Sequence, residues 1–447
     1  MNSGLASTET VDTRLAALGQ SLRLATARPV HGRVVRAIGS LVRAVLPDAR
    51  LGEMCRLEEA GRPALLAEIV GLDGDEAVLA PIGDTRGLGA GCAVVRTGAA
   101  LSVAVGEALL GRVLDGLGLL LDEAERGPLP TGMERRACHA EPPHALRRAR
   151  VSRPLATGVR AIDGLLTCGE GQRVGIYGEP GGGKSTLLGQ LVRGTVADVV
   201  VVALVGERGR EVREFVEHQL DAAGRARSVL VVATSDRPAL ERIKAAATAT
   251  AIAEWFRDRG QRVLLVVDSV TRYARALREV GLAAGEPPAR RGFPPSVLTE
   301  LPRLLERAGP GERGSITAFY TVLVEGDGSG DPIAEETRGI LDGHIVLAPA
   351  LAARGHFPAI DVLASRSRVM DLVTVPSHRA QAAHVRELLH RHAEIEFLVQ
   401  VGEYKAGANA RDDEALARID AVRAFLRQDA REASSFAQTA AWLARLA

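Results

Sequence analysis

The 447-residue sequence predicts an α/β protein, with a mainly parallel sheet covered by helices on both faces, a small N-terminal β-barrel before it and a helical domain after it. Three observations predict this. From Gly171 onward, short apolar runs alternate with helical stretches, the order that builds a parallel sheet. Between about Pro29 and Thr97, short apolar segments alternate with glycine-rich turns, as in a small barrel. After about Pro376 only helical periodicity remains, in "HRAQAAHVRELLHRHAEIEFLV" and "DEALARIDAVRAFLRQ".

Taken in order, residues 1–27 open polar, and "VDTRLAALGQSLRL" then places Val11, Leu15, Leu18 and Leu22 on one helical face. Periodicity alone leaves that helix as either a packing element or a docking element. Residues 28–97 form the predicted barrel, through "GRVVRAIG", "LLAEIVGLDGDEAVLAPIGD" and "GCAVVRTG". Residues 98–376 form the sheet domain. Its opening, "GEALLGRVLDGLGLLLDE", runs into a proline-rich connector, "EPPHALRRARVSRPLATG". The predicted strands are Arg173–Tyr177, Val199–Val205, Val229–Ala233, Val263–Val267, Ser315–Leu323 and His344–Leu347. Among the helices between them is "RIKAAATATAIAEWFRDRG", closed by Gly260. Residues 377–447 form the C-terminal helical domain.

Composition narrows the function. The 56 basic and 55 acidic residues leave a net charge of +1, with no general bias toward nucleic acid or membrane. No apolar run approaches the ~20 residues of a membrane span. The start, "MNSGLASTET", has neither the basic nor the apolar part of a cleavable signal. Four scattered cysteines, without a C-x-x-C pair, fit a reduced cytosolic chain and give no metal motif. All aromatic residues lie at or after Tyr177, so the predicted barrel has no ring on which to stack a nucleic-acid base.

The most informative stretch is "GEPGGGKST", from Gly178 to Thr186. It follows the apolar run "RVGIY" and precedes "STLLGQLVRG", in which Leu187, Leu188 and Leu191 have helical spacing. Strand, glycine loop and helix are the context that the G-x-x-x-x-G-K-[ST] pattern requires. Gly178, Glu179, Pro180, Gly181, Gly182, Gly183, Lys184, Ser185 and Thr186 then wrap backbone N–H groups around phosphates. Lys184 reaches the β and γ phosphates, and Ser185 is a Mg²⁺ ligand.

Ligands of parallel sheets sit beyond the carboxyl ends of the strands. "VVVVALVGER" ends there with Glu207 and Arg208, and "VLLVVDS" with Asp268. Asp268 suits a Mg²⁺-holding role, and Glu207 suits orienting the attacking water. The alternatives for either acid are a cap on the following helix or a pair with Arg208. A cation for charge on the γ-phosphate is still required. "AIDVLASRSRVM" offers Arg366 and Arg368, as an arginine finger into a neighbouring copy's site or as surface arginines.

Together, "GIYGEPGGGKSTLL", "VGERGREVREF", "LLVVDSVTRYARALREV", "RRGFPPSVLTELPRLLERAG", "GSITAFYTVLVEGDGSGDPIAEETRGILDGHIVL" and "FPAIDVLASRSRVM" resemble the rotary-type hexameric ATPases over roughly residues 28–447. The export branch fits better than the β subunit of ATP synthase. Within it, "AIDVLASRSRVM" and "VGEYKAGANARDDEALARIDAVRAFLRQ" are more similar to the type III secretion (injectisome) ATPases than to the flagellar export ATPases.

The resemblance implies a RecA-like core, ATP and Mg²⁺ as ligands, and a homohexamer. It implies Glu207 as the catalytic carboxylate with Arg208 beside it, Asp268 as the Walker B acid, and Arg368 as the finger supplied across the subunit boundary. Phe357 falls where the family sets an aromatic ring against adenine, and Phe436 near a second such position. The implied partners are a central stalk protein, a stator-like regulator at the N-terminal helix, chaperone–effector complexes and an export gate, at the cytoplasmic side of the inner membrane. Two other readings are weaker. A Rho-type RNA translocase would stack bases on its barrel, and a regulatory subunit would lack the acid at Glu207.

Overall fold

In the computed structural model, residues 31–325, 328 and 330–447 are described. The predicted N-terminal helix of residues 1–27 lies outside them. Six strands close a barrel in the order β1-β2-β5-β4-β3-β6: β1 (His31–Ile38), β2 (Leu41–Val45), β3 (Glu53–Glu58), β4 (Leu65–Asp73), β5 (Glu76–Ile82) and β6 (Ala93–Ala100). Alternation explains the closure. Val42 and Ala44 point into the barrel with Leu57, Ile69 and Leu79, whereas Arg43 between them faces out.

Beyond the barrel, β7 (Ser102–Val105) pairs with β9 (Glu134–Ala137). The main sheet runs β17-β16-β10-β15-β13-β11-β12-β8. Its members are β8 (Val113–Asp115), β10 (Arg173–Gly178), β11 (Val199–Val205), β12 (Ser228–Ala233), β13 (Arg262–Asp268), β15 (Ser315–Leu323), β16 (Gly343–Leu347) and β17 (Ile360–Ser367), with the short β14 (Gly309–Pro310) attached to β15. The pairs from β8 to β16 are parallel, as expected.

Besides the two-residue β14, two strands of this sheet differ from the sequence reading. β8 comes from the stretch taken as lead-in to the connector and extends the sheet beside β12. β17, read only as the block carrying the arginines, returns antiparallel along β16.

The central strands are continuous apolar runs because both faces are covered. Val199, Val201, Ala203 and Val205 pack on one side, among α3 (Ala239–Asp258), α4 (Val270–Ala283), α5 (Pro295–Leu305) and α6 (Pro332–Ile340). Val200, Val202 and Leu204 pack on the other, among α1 (Arg160–Leu165), α2 (Lys184–Gly194) and the C-terminal helices α7 (Pro376–Gln400), α8 (Ala410–Leu426) and α9 (Phe436–Leu446). Leu187, Leu188 and Leu191 anchor α2 in this second core. Trimming any one to alanine costs on the order of 2–5 kcal/mol.

Two contacts position the core. Lys244 of α3 forms a buried ion pair with Glu68 of β4, tying barrel to sheet domain. The ring of Tyr177 folds back along its own strand, and a Cβ on Gly175 would meet it at 2.3 Å. Its hydroxyl donates to Thr337 at 3.0 Å, and the Arg338 guanidinium lies 4.9 Å from the ring centre.

Candidate active site

The site is built at the carboxyl end of β10. That strand ends at Gly178, and the chain turns through Gly182 N–H to Glu179 carbonyl at 3.2 Å. It enters α2 at Gly183, whose φ of 84° lies in the left-handed region open to glycine. No side chain caps α2, so the N–H groups of its first turn, which lack intrahelical acceptors, face the loop. This geometry suits a phosphate chain.

Strand register delivers the charged groups. β11 and β13 run side by side, with Leu204 opposite Asp268, so Glu207 and Asp268 leave neighbouring strand ends together. Lys184 Nζ lies 2.6 Å from Asp268 Oδ1 and 3.8 Å from Glu207 Oε1. Thr321 Oγ1 on β15 donates to Asp268 Oδ1 at 2.7 Å. Both acids are buried. Burial pushes the Glu207 carboxyl up to about 7, and the charge of Asp268 adds to this; Lys184 and Arg272 pull it down without overcoming burial.

The sequence reading did not single out Arg272. It enters through α4, and its Nε and Nη2 hold Glu207 Oε1 and Oε2 at 3.0 and 3.1 Å. Gly206, at φ 69°, permits the approach, because a Cβ there would meet Arg272 Cδ at 2.9 Å. Arg208 does not fill this place. Its side chain is 72% exposed and turns to Glu211 at 3.5 Å.

Ser185, Glu207 and Asp268 line one cleft of ≈ 60 Å³. Its hydroxyl and carboxylate oxygens suit Mg²⁺, a hard cation that takes few protein ligands and completes its shell with phosphate oxygens and water. Among the described residues no three His, Cys, Asp or Glu side chains form a metal cage.

Two predicted positions flank the loop differently. Phe357 is 43% exposed, and a Cβ on Gly183 would sit 3.5 Å from its ring. Phe436 opens α9 and stacks on His378, with ring centres 5.8 Å apart, and His378 bonds the Gly164 carbonyl at 2.9 Å.

Arg368 stands at the far end of the sheet. β16 places Leu347 beside Gly178 at the loop end, and β17 runs from Ile360, beside Leu347, to Ser367, beside Gly343. The register sets Ser367 beside Gly343, and Arg368 N–H donates to the Asp342 carbonyl, five positions back along β16 from Leu347, so at ~3.3 Å a residue Arg368 lies roughly 16 Å back along the sheet from its own loop. There its Nη2 donates to the Arg338 carbonyl at 3.0 Å. Arg366 is exposed on the same strand, opposite His344.

A glycine loop opening a helix, with a lysine between two buried acids at the end of a parallel sheet, defines a P-loop nucleoside triphosphatase. Comparison with known proteins narrows the class. Residues 158–367 match the nucleotide-binding domain of the ATP synthase alpha/beta family, residues 34–98 its beta-barrel domain, and residues 374–445 the T3SS EscN ATPase C-terminal domain. The type 3 secretion system ATPase of Sinorhizobium fredii (strain NBRC 101917 / NGR234) is 57% identical over 437 residues, 98% of this chain and 96% of its own length.

The flagellum-specific ATP synthase of Bacillus subtilis (strain 168) is 47% identical over 418 residues, 93% of this chain and 95% of its own. The assembled ATPase EscN of the enteropathogenic E. coli type III secretion system, solved with its central stalk EscO, superposes with a TM-score of 0.86 at 47% identity, covering 93% of this chain and 99% of that one. The chain belongs to the type 3 secretion system ATPase family, and it is an ATP hydrolase of the rotary type.

Proposed function

We propose that the chain energises type III protein secretion by hydrolysing Mg²⁺-ATP in pockets shared between adjacent copies of a ring, six in number by resemblance to the family. The observation that carries this reading is the position of Arg368 at the end of the sheet away from its own loop, level with Asp342 and not with Leu347. An arginine so placed is suited to a neighbour's phosphate.

Within a pocket, the loop from Gly178 to Thr186 binds the phosphates, with Lys184 on the β and γ groups. Ser185 and Asp268 hold Mg²⁺, which when bound neutralises phosphate charge. Glu207 accepts a hydrogen bond from the attacking water and aims it at the γ-phosphorus, while Arg272 fixes the direction of its two oxygens. Arg368 of the adjacent copy stabilises charge on the transferring group. Phe357 covers the adenine. Arg208, exposed and turned to Glu211, and Phe436, stacked on His378, are assigned no role in this reading.

The chain's partners follow from its family. A central stalk is supported by the EscN–EscO complex. A stator-like regulator at residues 1–27, chaperone–effector complexes and an export gate at the inner membrane are carried by the resemblance alone. No helix among the described residues is long and apolar enough to cross a membrane, which leaves peripheral attachment as the proposed mode. Secretion is favoured over flagellar export by identities of 57% and 55% to type 3 secretion system ATPases against 50% and 47% to flagellum-specific ones.

The test is specific activity against protein concentration. Activity should climb steeply as copies associate, and a strictly monomeric preparation with full activity overturns the shared pocket.

A further inference from the structure

Gln428 lies in the segment that joins α8 to α9 and is 4% exposed. Every hydrogen-bonding group of its side-chain amide has a partner. Oε1 accepts from Arg160 N–H at 2.8 Å, and Nε2 donates to the Gly158 and Glu432 carbonyls at 2.7 and 2.9 Å. Its backbone N–H donates to the carbonyl of Phe357 at 2.8 Å.

The next two residues are clasped by the helix that opens at Lys184. Gln190 Nε2 donates to the Asp429 carbonyl at 3.0 Å, and Arg193 Nη2 to the Ala430 carbonyl at 2.6 Å. Arg160 closes the other side, with Nε on the Phe425 carbonyl at 2.8 Å and its guanidinium 4.7 Å over the Trp442 ring. A buried amide satisfied on both donors and its acceptor is a rigid joint, since any slip leaves polar groups unpaired in a dry place. Phe357, itself exposed, hangs from that joint by its carbonyl and faces Gly183.

We propose that Gln428 is the positioning residue that holds Phe357 over the phosphate loop, so that the C-terminal domain sets the affinity for the nucleotide base. The proposal rests on the reading of Phe357 as the adenine contact. It differs from that reading in assigning the base side of the pocket to a residue that touches no nucleotide.

The experiment compares two ligands of the assembled full chain, Mg²⁺-ATP as substrate and Mg²⁺-tripolyphosphate as a competitor that has no base. In Gln428→Met, a substitution of similar length without the amide, KM for ATP should rise roughly five- to tenfold, a part of what base–aromatic stacking is worth. The turnover number and the inhibition constant of tripolyphosphate should stay within about twofold, near the scatter expected of a neutral change.

Phe357→Ala, assayed in parallel, should show the same split, and the double variant should be no worse than Phe357→Ala alone. A split in Phe357→Ala that is missing from Gln428→Met overturns the positioning role and leaves the Phe357 reading standing. No split in Phe357→Ala overturns both. Equal weakening of ATP and tripolyphosphate in Gln428→Met also overturns the proposal, because the joint would then serve the whole loop. Should Gln428→Met fail to fold, Gln428→Asn, which keeps the amide but cannot span the same carbonyls, carries the same comparison.

Discussion

Lys184 and Asp268, 84 positions apart in the chain, meet at 2.6 Å. The lysine opens a helix on one side of the sheet and the aspartate ends a strand, and Glu207 stands 3.8 Å from the same ammonium. Lys184 thus lies between the two buried carboxylates, with Arg272 on the far side of Glu207, until a phosphate chain takes the ammonium over.

Lys184→Met should remove the phosphate contact and leave Asp268 without its cation, while Glu207 keeps Arg272. Turnover is expected to fall by at least about a hundredfold, the scale of losing one preorganised charge contact to the transition state. Steady-state phosphate release measures it, and retained turnover would show that Lys184 does not act on the reacting phosphate.

Glu207 makes stability and activity slope in opposite directions with pH. Its carboxyl is raised from 4.5 to about 7 in the fold. Between those values the folded chain holds a proton that the unfolded chain has released, so its contribution to stability falls as pH rises. Activity should rise across the same window, because the water needs the carboxylate. Thermal melts from pH 5 to 8 should lose this slope in Glu207→Gln, which should bind nucleotide without turning it over.

Arg272→Ala should cost roughly ten- to a hundredfold in turnover, with KM for ATP little changed, because misdirecting a catalytic group by about 1 Å is expensive. Arg272→Lys, which cannot grip both carboxylate oxygens, should recover only part of the loss. Steady-state kinetics of the two variants decides this, and an unchanged turnover number in Arg272→Ala would leave the arginine a purely structural partner.

Lys244→Met should destabilise the chain by about 3 kcal/mol, because it strands the buried Glu68 carboxylate. The pair replacement Lys244→Met with Glu68→Leu should restore most of it, since a buried ion pair and an apolar pair are often equivalent. Denaturant melts of the native chain and these two variants make the comparison.

Much of this architecture can be read in the sequence because it is written locally. The strand before Gly178, the loop and the apolar face of α2 occupy one continuous stretch. The acids at Glu207 and Asp268 each close an unbroken apolar run that only a doubly covered strand needs. What escaped depends on distant partners. β8 has three residues, and its place is set by β12, more than a hundred positions later. Arg272 looks like any helical arginine until Gly206 opens a path to Glu207. Phe436 was read from its likeness to a second adenine-side aromatic, and its stacking on His378, 58 positions earlier, could not be seen in the sequence.

The opposed positions of Lys184 and Arg368 on one sheet have a consequence for mixtures. A chain disabled at the lysine still carries an intact arginine, and a chain disabled at the arginine still carries an intact loop. Blending two inactive preparations, Lys184→Met and Arg368→Ala, should therefore regenerate ATP hydrolysis at each junction where the sound halves face one another. Neither protein recovers anything when diluted with more of itself.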